Sequence, residues 1–149
     1  MRVSRHEMFM QMAEAAARRS TCYRGGVGAV VVGGNHILSA GYNGPPSGED
    51  HCAGAVCAPT GVCSRAVHAE ANALQRAGKL IDQADTIYCT VMPCLSCATL
   101  IAATPIRTII FRQTYRNTDG VDRLMEWSLA MYRLTTGGYL VDLRTDEIR

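Results

Sequence analysis

Residues 68–70 read His-Ala-Glu, and residues 93–97 read Pro-Cys-Leu-Ser-Cys. An imidazole and two thiolates are typical ligands of Zn²⁺, and three protein ligands leave the fourth corner of the tetrahedron for water. Cys94 and Cys97 are three residues apart, so both sulfurs lie on one face of a helix that begins here. The dipole and the free N–H groups of a helix N-terminus also favour thiolate over thiol. The two segments together predict an open zinc site formed by His68, Cys94 and Cys97.

Glu70 supplies a carboxylate two residues after the predicted ligand His68. Zinc lowers the pKa of its bound water towards about 7, and a nearby carboxylate can carry protons between that water and a substrate. Residues two apart in a regular helix face different ways, so the two side chains can converge only at an irregular first turn. We therefore expect Glu70 to be the catalytic proton carrier and not a metal ligand.

Each of these segments is weak evidence when it is taken alone. A single Cys-x-x-Cys more often marks a structural zinc knuckle or a redox pair, and a single His-x-Glu is uninformative. Their combination, with Pro93 before the first cysteine, favours the catalytic interpretation. The alternative from a different class is a noncatalytic zinc module that binds nucleic acid or a partner protein. Such a module would not need Glu70.

The composition predicts one globular domain over residues 1–149, because 48% of the chain is hydrophobic and 19% is charged. No apolar run reaches the length of a membrane span, and the first residues are not followed by a signal-peptide core. We therefore expect a cytoplasmic protein with no membrane partner. An odd number of cysteines, seven, favours reduced thiols and metal over disulfides. A net charge of +2 does not suggest a nucleic-acid partner.

Periodicity and turn residues predict an alternation of helices and strands. Helices are expected at residues 8–19, 68–77, 94–103 and 119–135. Strands are expected at residues 27–32, 36–42, 84–91, 106–111 and 139–143. Ser4 and Glu7 form a plausible capping box before the first helix.

This order predicts an α/β fold in which a mostly parallel sheet lies between helices, with an antiparallel pair from the hairpin of the first two strands. Ligands of such sheets collect at strand ends, where helices begin. Both segments with zinc-ligand spacing lie at such positions. The sequence contains no repeat and no linker that would indicate a second domain.

Further motifs accompany H-x-E and P-C-x-x-C, which together are the signature of zinc-dependent nucleobase deaminases. They are Arg19-Ser20-Thr21-Cys22, the run Val-Gly-Ala-Val-Val-Val at residues 27–32, Gly41-Tyr42-Asn43-Gly44 with Pro46 and Gly48, His51-Cys52, Cys63 with Arg65, Asn72-Ala73, and Arg112 with Tyr115. With them the sequence resembles the deoxycytidylate (dCMP) deaminases of the cytidine deaminase-like superfamily. The resemblance covers residues 3–115 or so. The Gly-Tyr-Asn-Gly segment and the cysteines before His68 distinguish these enzymes from their relatives.

The resemblance implies a three-layer α/β/α sandwich with a central mixed sheet, forming one CMP/dCMP-type deaminase domain. It implies zinc-dependent hydrolysis of dCMP to dUMP and ammonia, with Zn²⁺ as the cofactor. His68, Cys94 and Cys97 would hold the zinc, and Glu70 would pass protons from water to N3 of cytosine and to the leaving amino group. A zinc deaminase for another cytosine or adenine substrate, such as a nucleoside or a base in tRNA, is the alternative within the same class.

Roles for further residues also follow from the resemblance alone. Asn43 would hydrogen-bond the deoxyribose near its 3′-hydroxyl, and Arg24 would bind the phosphate. Tyr115 and Ala69 would lie at the base or sugar. A second, structural zinc is common in this family, and its candidate ligands are Cys22, Cys52, Cys57 and Cys63, with His51 as a substitute. Cys89 falls inside a predicted strand and is expected to be a core thiol.

Enzymes of this kind are commonly hexamers that dCTP activates and dTTP inhibits. The effector site would lie near the loop formed by Gly41, Tyr42, Asn43 and Gly44. We therefore expect a homo-oligomer, a hexamer, whose substrate is the small nucleotide dCMP and whose effectors are dCTP and dTTP. The low net charge and the Gly-Tyr-Asn-Gly segment speak against a tRNA or nucleoside substrate.

Overall fold

The computed structural model describes residues 1–52, 63–115 and 119–149. Its elements, in chain order, are α1 (Arg5–Ala17), β1 (Gly28–Gly33), β2 (His36–Tyr42), α2 (Ala69–Ala77), a 3₁₀ helix (Gly78–Gln83), β3 (Thr86–Val91), α3 (Leu95–Ala102), β4 (Thr108–Gln113), α4 (Asp119–Glu126), β5 (Ala130–Leu134) and β6 (Leu140–Asp142). The six strands form one sheet in the order β2-β1-β3-β4-β5-β6. None of the described helices is long and apolar enough to cross a bilayer.

Helices cover both faces of this sheet. Helix α1 lies on one face, where Phe9, Met10 and Ala13 are buried against the central strands. Helices α2, α3 and α4 contribute to the larger apolar cluster on the other face. Strand β1 is buried along its whole length, which explains why it reads as a continuous apolar run and not as an alternating one. The predicted α/β/α sandwich is therefore confirmed.

The sheet is mixed, as the family resemblance implied, but it is not mostly parallel. Only the β3–β4 and β4–β5 pairs are parallel, whereas the other three pairs are antiparallel. The prediction from the order of elements was wrong here because strand β3 returns beside β1, running antiparallel to it. Periodicity within each strand does not specify which strand will be its neighbour.

The strand directions bring several chain segments to the same edge of the sheet. Gly28, at the start of β1, pairs with Tyr42, at the end of β2. The last residues of β3 and β4, Val91 and Gln113, pair with each other in parallel. Since β1 and β3 are antiparallel, all four of these strand ends meet at one edge. The loops that carry the predicted site therefore lie together.

The predicted helix at residues 119–135 is wrong in its second half. Helix α4 stops at Glu126, and residues 130–134 form strand β5 beside β4. The amide of Leu129 donates to the carbonyl of Leu124 and the amide of Ser128 to that of Met125, which is the Schellman arrangement of a helix C-terminus. Ser128 adopts a positive φ of 59°, where glycine is the usual residue. The stop signal was missed because serine rarely marks it.

Arg112, at the end of β4, links three elements. Its guanidinium contacts the carboxylates of Glu7 and Glu14 in α1, at 2.9 and 3.2 Å, and donates to the carbonyl of Thr135 beyond β5 at 3.0 Å. Ser4 caps α1 as predicted, with its hydroxyl oxygen 3.1 Å from the Glu7 amide. The Glu7 carboxylate bonds Arg112 and does not reach back to Ser4, so only this half of the predicted capping box forms. Because the Arg112 side chain is only 15% exposed, these ion pairs are better shielded than surface pairs. The contacts of Arg112 hold the end of β4 in place, directly before the cleft residues 113–115.

Candidate active site

The three predicted zinc ligands meet where helices α2 and α3 begin. His68 and Cys94 are the N-cap residues of these helices, both with extended backbone, and Cys97 lies in the first turn of α3. The Nδ1 atom of His68 is 3.5 Å from Sγ of Cys94 and 3.4 Å from Sγ of Cys97. The three ligand atoms lie within 4.8 Å of one another.

This donor set fits zinc. Ligand bonds of about 2.0–2.3 Å in a tetrahedron place nitrogen and sulfur about 3.5 Å apart, which is the separation found. One histidine and two cysteines leave one corner of the tetrahedron for water or substrate. His68, Cys94 and Cys97 could hold a metal ion together. Among the described residues, they are the only set of three or more histidine, cysteine or acidic side chains that lie close enough to do so.

Hydrogen bonds among the three ligands shift their protonation. Hydrogen bonds from Cys97 and from His68 lower the pKa of Cys94 to about 3, so Cys94 is a thiolate at neutral pH. The pKa of the Cys97 thiol is raised, first because it donates to Cys94 and then because it is buried. The hydrogen bond with Cys94 raises the pKa of His68. Metal binding requires thiolate and neutral imidazole, so the raised pKa values of Cys97 and His68 oppose metal binding, whereas the lowered pKa of Cys94 favours it.

Glu70 is the second residue of α2, and it is almost completely buried, with 4% exposure. His68 precedes the helix in extended conformation, so it is freed from helical spacing and both side chains line one cleft. This is the irregular first turn that the spacing required. Burial raises the pKa of the Glu70 carboxyl, while His68 acts in the opposite direction. A raised pKa brings a carboxylate closer to the value suited to proton transfer near pH 7.

His68 and Cys94, two of the three predicted zinc ligands, line a cleft of about 570 Å³ together with Glu70. The four residues predicted to bind substrate line the same cleft: Arg24, Asn43, Ala69 and Tyr115. Among the described lining residues, Arg24 is the only arginine or lysine. The structure thus brings together a buried carboxylate, a set of potential metal ligands and a cation from segments as far apart as residues 24 and 115.

The buried side chain of Asn43 is held by the loop that carries Arg24. Its Oδ1 accepts from the Val27 amide at 2.7 Å, and its Nδ2 donates to the Gly25 carbonyl at 2.9 Å. A hydroxyl, that of Ser20, lies 2.7 Å from the same Oδ1. An amide nitrogen has two hydrogens, so one N–H of Asn43 remains for a ligand.

The segment predicted to form an effector site divides between two cavities. Asn43 lines the cleft, whereas Tyr42 and Gly44 line a second cavity of about 540 Å³. Gly41 lines neither of them. A Cβ atom at Gly41 would overlap the Ala69 carbonyl oxygen and the amide of the next turn of α2. Gly41 therefore lets α2, which carries Glu70, pack closely on strand β2.

Gly44 supports the site from the other end of this segment. It exchanges two backbone hydrogen bonds with Val67, at 3.1 and 2.8 Å, directly before His68. Its missing side chain leaves room for Thr21, whose hydroxyl a Cβ atom would overlap. Three of the four residues therefore have a structural task at the active site, whichever ligand the second cavity takes.

The cysteines proposed for a second zinc are not gathered among the described residues. Cys22 and Cys63 line the cleft, and neither they nor Cys52 belong to a described group of three potential ligands. Cys57 lies outside the described residues, so the second zinc stays a prediction. Cys89 is completely buried in β3, which confirms it as a core thiol.

Several cleft residues were not predicted from the sequence. Met92, Gln113 and Thr114 line the cleft, and Ser20 supports it through Asn43. Met92 could have been found from its position between β3 and the Pro-Cys motif. The others carry no local signal, because their residue types are common in loops and at strand ends.

A family model described as the cytidine and deoxycytidylate deaminase zinc-binding region matches residues 3–113. Deoxycytidylate deaminase of Mycobacterium phage D29 is 40% identical over 117 residues, which cover 70% of this chain and 91% of that protein. Deoxycytidylate deaminase of Schizosaccharomyces pombe is 35% identical over 117 residues, which cover 72% of this chain but only 36% of that protein. The chain thus spans little more than a third of the length of the yeast relative.

A solved structure of a dCMP deaminase is also similar to this chain. The crystal structure of dCMP deaminase from the cyanophage S-TIM5, in complex with dCMP and dUMP, shares 33% sequence identity with this chain. It superimposes with a TM-score of 0.78 and covers 89% of this chain and 98% of that chain. The matched family model and the His/Cys/Cys donor set both give Zn²⁺ as the cofactor. With more than half of its length matched by that model, this chain belongs to the family of zinc-binding cytidine and deoxycytidylate deaminases.

Proposed function

We propose that this chain is a dCMP deaminase, which hydrolyses dCMP to dUMP and ammonia. The observation that carries the proposal is the placement of the buried Glu70 in one cleft with Arg24 and Asn43. Two of the three zinc ligands, His68 and Cys94, line the same cleft. A proton carrier and a metal site suit hydrolysis of a C–N bond. The phage D29 relative is named for this activity, and the cyanophage relative binds dCMP and dUMP. The name of the first relative and the ligands of the second both support dCMP as the substrate.

The proposed reaction uses Glu70 twice. His68, Cys94 and Cys97 would hold the zinc, which would supply a water of lowered pKa near neutral pH. Glu70 accepts the first proton of that water and delivers it to N3 of cytosine, so that C4 becomes more electrophilic. Attack at C4 gives a tetrahedral carbon. Glu70 then carries the second proton to the amino group, which leaves as ammonia while C4 becomes the carbonyl of dUMP.

The remaining cleft residues would orient the nucleotide. Arg24 suits the phosphate, because a guanidinium can donate two parallel charge-assisted hydrogen bonds to phosphate oxygens. Asn43 would donate its remaining N–H to the deoxyribose near the 3′-hydroxyl. Tyr115 and Ala69 would contact the base or the sugar. A substrate held at both ends places C4 against the metal site with little freedom left to lose.

The test of this proposal is a substrate panel. The purified, zinc-loaded protein should reduce the absorbance of cytosine in dCMP and release ammonia, with much higher kcat/KM for dCMP than for deoxycytidine. An oligonucleotide with the anticodon stem-loop of a tRNA and free cytidine are the other arms. Turnover of one of those substrates but not of dCMP would replace the proposal by another zinc deaminase. Absence of turnover on every arm would leave the noncatalytic zinc module.

The same proposal includes nucleotide control of a homo-oligomer, a hexamer, formed from one deaminase domain per chain in the cytoplasm. The second cavity, which Tyr42 and Gly44 line together with Arg76, is the proposed site for dCTP and dTTP. Its wall is shared with the active site, because Gly44 is paired with the residue before His68. An effector that binds one conformation of this wall more tightly than another would change the activity.

We expect velocity against dCMP concentration to be sigmoidal, to become hyperbolic with dCTP, and to fall with dTTP. The reason is that an activator shifts the population towards the state that binds substrate better. Steady-state kinetics with each triphosphate and light scattering of the same sample are the measurements. A monomer in light scattering, or rates that neither triphosphate changes, would contradict this part of the proposal and leave the dCMP deaminase assignment intact.

A further inference from the structure

Ser20 lies at the centre of a hydrogen-bond network behind the cleft. Its hydroxyl is 2.7 Å from Oδ1 of Asn43 and 2.8 Å from the main-chain oxygen of the same residue. It also accepts from the Cys22 amide at 3.1 Å. A hydroxyl has one hydrogen and two lone pairs. This one can donate to Asn43 and accept from Cys22 at the same time.

The partners of the Asn43 amide determine which way it faces. Val27 offers an N–H and Gly25 offers a carbonyl oxygen. If the Asn43 amide were reversed, its NH₂ group would face the Val27 N–H and its oxygen would face the Gly25 oxygen, so both hydrogen bonds would be lost. Ser20 adds a second donor on the Oδ1 side. The Val27 amide and the Ser20 hydroxyl both lie within hydrogen-bond distance of Oδ1, so this oxygen faces donors inside the protein. Asn43 can meet a ligand only as a donor, through its remaining N–H.

The same bonds connect Asn43 to the loop that carries Arg24. Gly25 and Val27, which hold the amide, follow Arg24 directly along the chain, and Cys22, which donates to Ser20, precedes it. The hydroxyl of Ser20 joins the Cys22 end of this loop to Asn43, and the Asn43 side chain itself holds the other end at Gly25 and Val27.

We propose that Ser20 is a positioning residue, which holds Asn43 as a hydrogen-bond donor to the 3′-oxygen of the nucleotide and orders the loop around Arg24. This rests on the proposed function, since it assigns the contact that Asn43 makes with the substrate. Ser20 itself does not touch the substrate or the reacting atoms. Its loss therefore weakens nucleotide binding and leaves the proton transfers of Glu70 in place.

The first test is the kinetics of Ser20→Ala and of the milder Ser20→Cys, which keeps the side-chain size and a weak donor. Ser20→Ala should raise the KM for dCMP about tenfold, as expected for a lost hydrogen bond that positions a ligand group, and change kcat much less. Ser20→Cys should move KM in the same direction by a smaller factor. The control is Ser4→Ala, which removes the N-cap hydroxyl of α1. It should lower thermal stability and leave KM unchanged.

The second test uses 2′,3′-dideoxycytidine monophosphate, which lacks the 3′-oxygen. If Ser20 acts through Asn43 on that oxygen, Ser20→Ala should reduce kcat/KM for dCMP by a larger factor than for the dideoxy substrate. An equal factor on both substrates, or an unchanged KM for dCMP, would overturn the proposal while turnover of dCMP by the unsubstituted protein upholds the proposed function.

Hydrogen exchange provides a readout that does not need activity. The Val27 amide, which is bonded to Oδ1 of Asn43, should exchange faster in Ser20→Ala than in the unsubstituted protein. Unchanged exchange at Val27 would count against the positioning role. If the unsubstituted protein did not turn over dCMP, the proposed function would fail by itself, and this exchange measurement would still decide the role of Ser20 in holding Asn43.

Discussion

Replacement of Glu70 by glutamine is expected to lower kcat for dCMP about 10³-fold, within the range of about 10²–10⁴ that general acid–base groups contribute. Glutamine keeps the size and shape of the side chain but cannot accept a proton from water. Because Glu70 is buried, the substitution also removes a costly buried charge. We therefore expect the variant to retain its thermal stability and its zinc, since Glu70 is not among the three metal ligands.

The measurement combines steady-state deamination of dCMP with metal analysis of the same preparation. Glu126→Gln is the control, because Glu126 lies in an exposed ion pair with Arg123 that contributes little to stability. The control should match the unsubstituted protein in both assays. Near-normal turnover by Glu70→Gln would rule out the proposed mechanism. Loss of zinc from Glu70→Gln would mean that Glu70 supports the metal site and does not only carry protons.

Arg24→Ala is expected to raise the KM for dCMP about 10- to 100-fold and to leave the kinetics of deoxycytidine nearly unchanged. A hydrogen bond to a charged group contributes about 1.5–3 kcal/mol, and each 1.4 kcal/mol is a factor of ten in affinity. Deoxycytidine has no phosphate, so it loses nothing when the guanidinium is removed. The KM of Arg24→Lys for dCMP should lie between that of the unsubstituted protein and that of Arg24→Ala, since lysine keeps the charge but not the planar pair of donors.

The informative quantity is the ratio of kcat/KM for dCMP to kcat/KM for deoxycytidine, measured in the same buffer at the same ionic strength. Arg133→Ala is the matched control, because Arg133 is exposed on β5 and does not line the cleft among the described residues. Its ratio should equal that of the unsubstituted protein. If Arg24→Ala weakened both substrates equally, Arg24 would be holding the loop and not the phosphate.

The two motifs that carry the metal ligands could be predicted from the sequence because the spacing within each motif is local. Two cysteines three residues apart at a helix start face one way in any fold, and the structure has them so, with His68 and Cys94 each capping a helix. The hairpin of β1 and β2 and the cap of α1 at Ser4 are local in the same sense. These elements require only neighbours in the chain, so their residue types were sufficient.

Local spacing was misleading at residues 119–135. The apolar side chains at 124, 127, 131 and 134 fit a helical period, but Trp127 is 40% exposed, and Met131 and Leu134 belong to the apolar clusters of opposite sheet faces. Pairing with β4 decides the conformation of β5. A short segment adopts the conformation that its partner strand offers, because backbone hydrogen bonds and burial outweigh its weak intrinsic preference.

The sequence by itself predicted Zn²⁺ as the cofactor and the class of fold, because these follow from short motifs, His-Ala-Glu and Pro-Cys-Leu-Ser-Cys, and from the order of helices and strands. Only the tertiary structure decided that Gly41 seats α2, that Arg112 anchors the end of β4, and that Ser20 holds Asn43. Those contacts join residues that are 23 to 105 positions apart in the chain for Ser20 and Arg112. No pattern of period two or 3.6 encodes contacts at such separations, because they exist only after the strands have paired and the helices have packed on them.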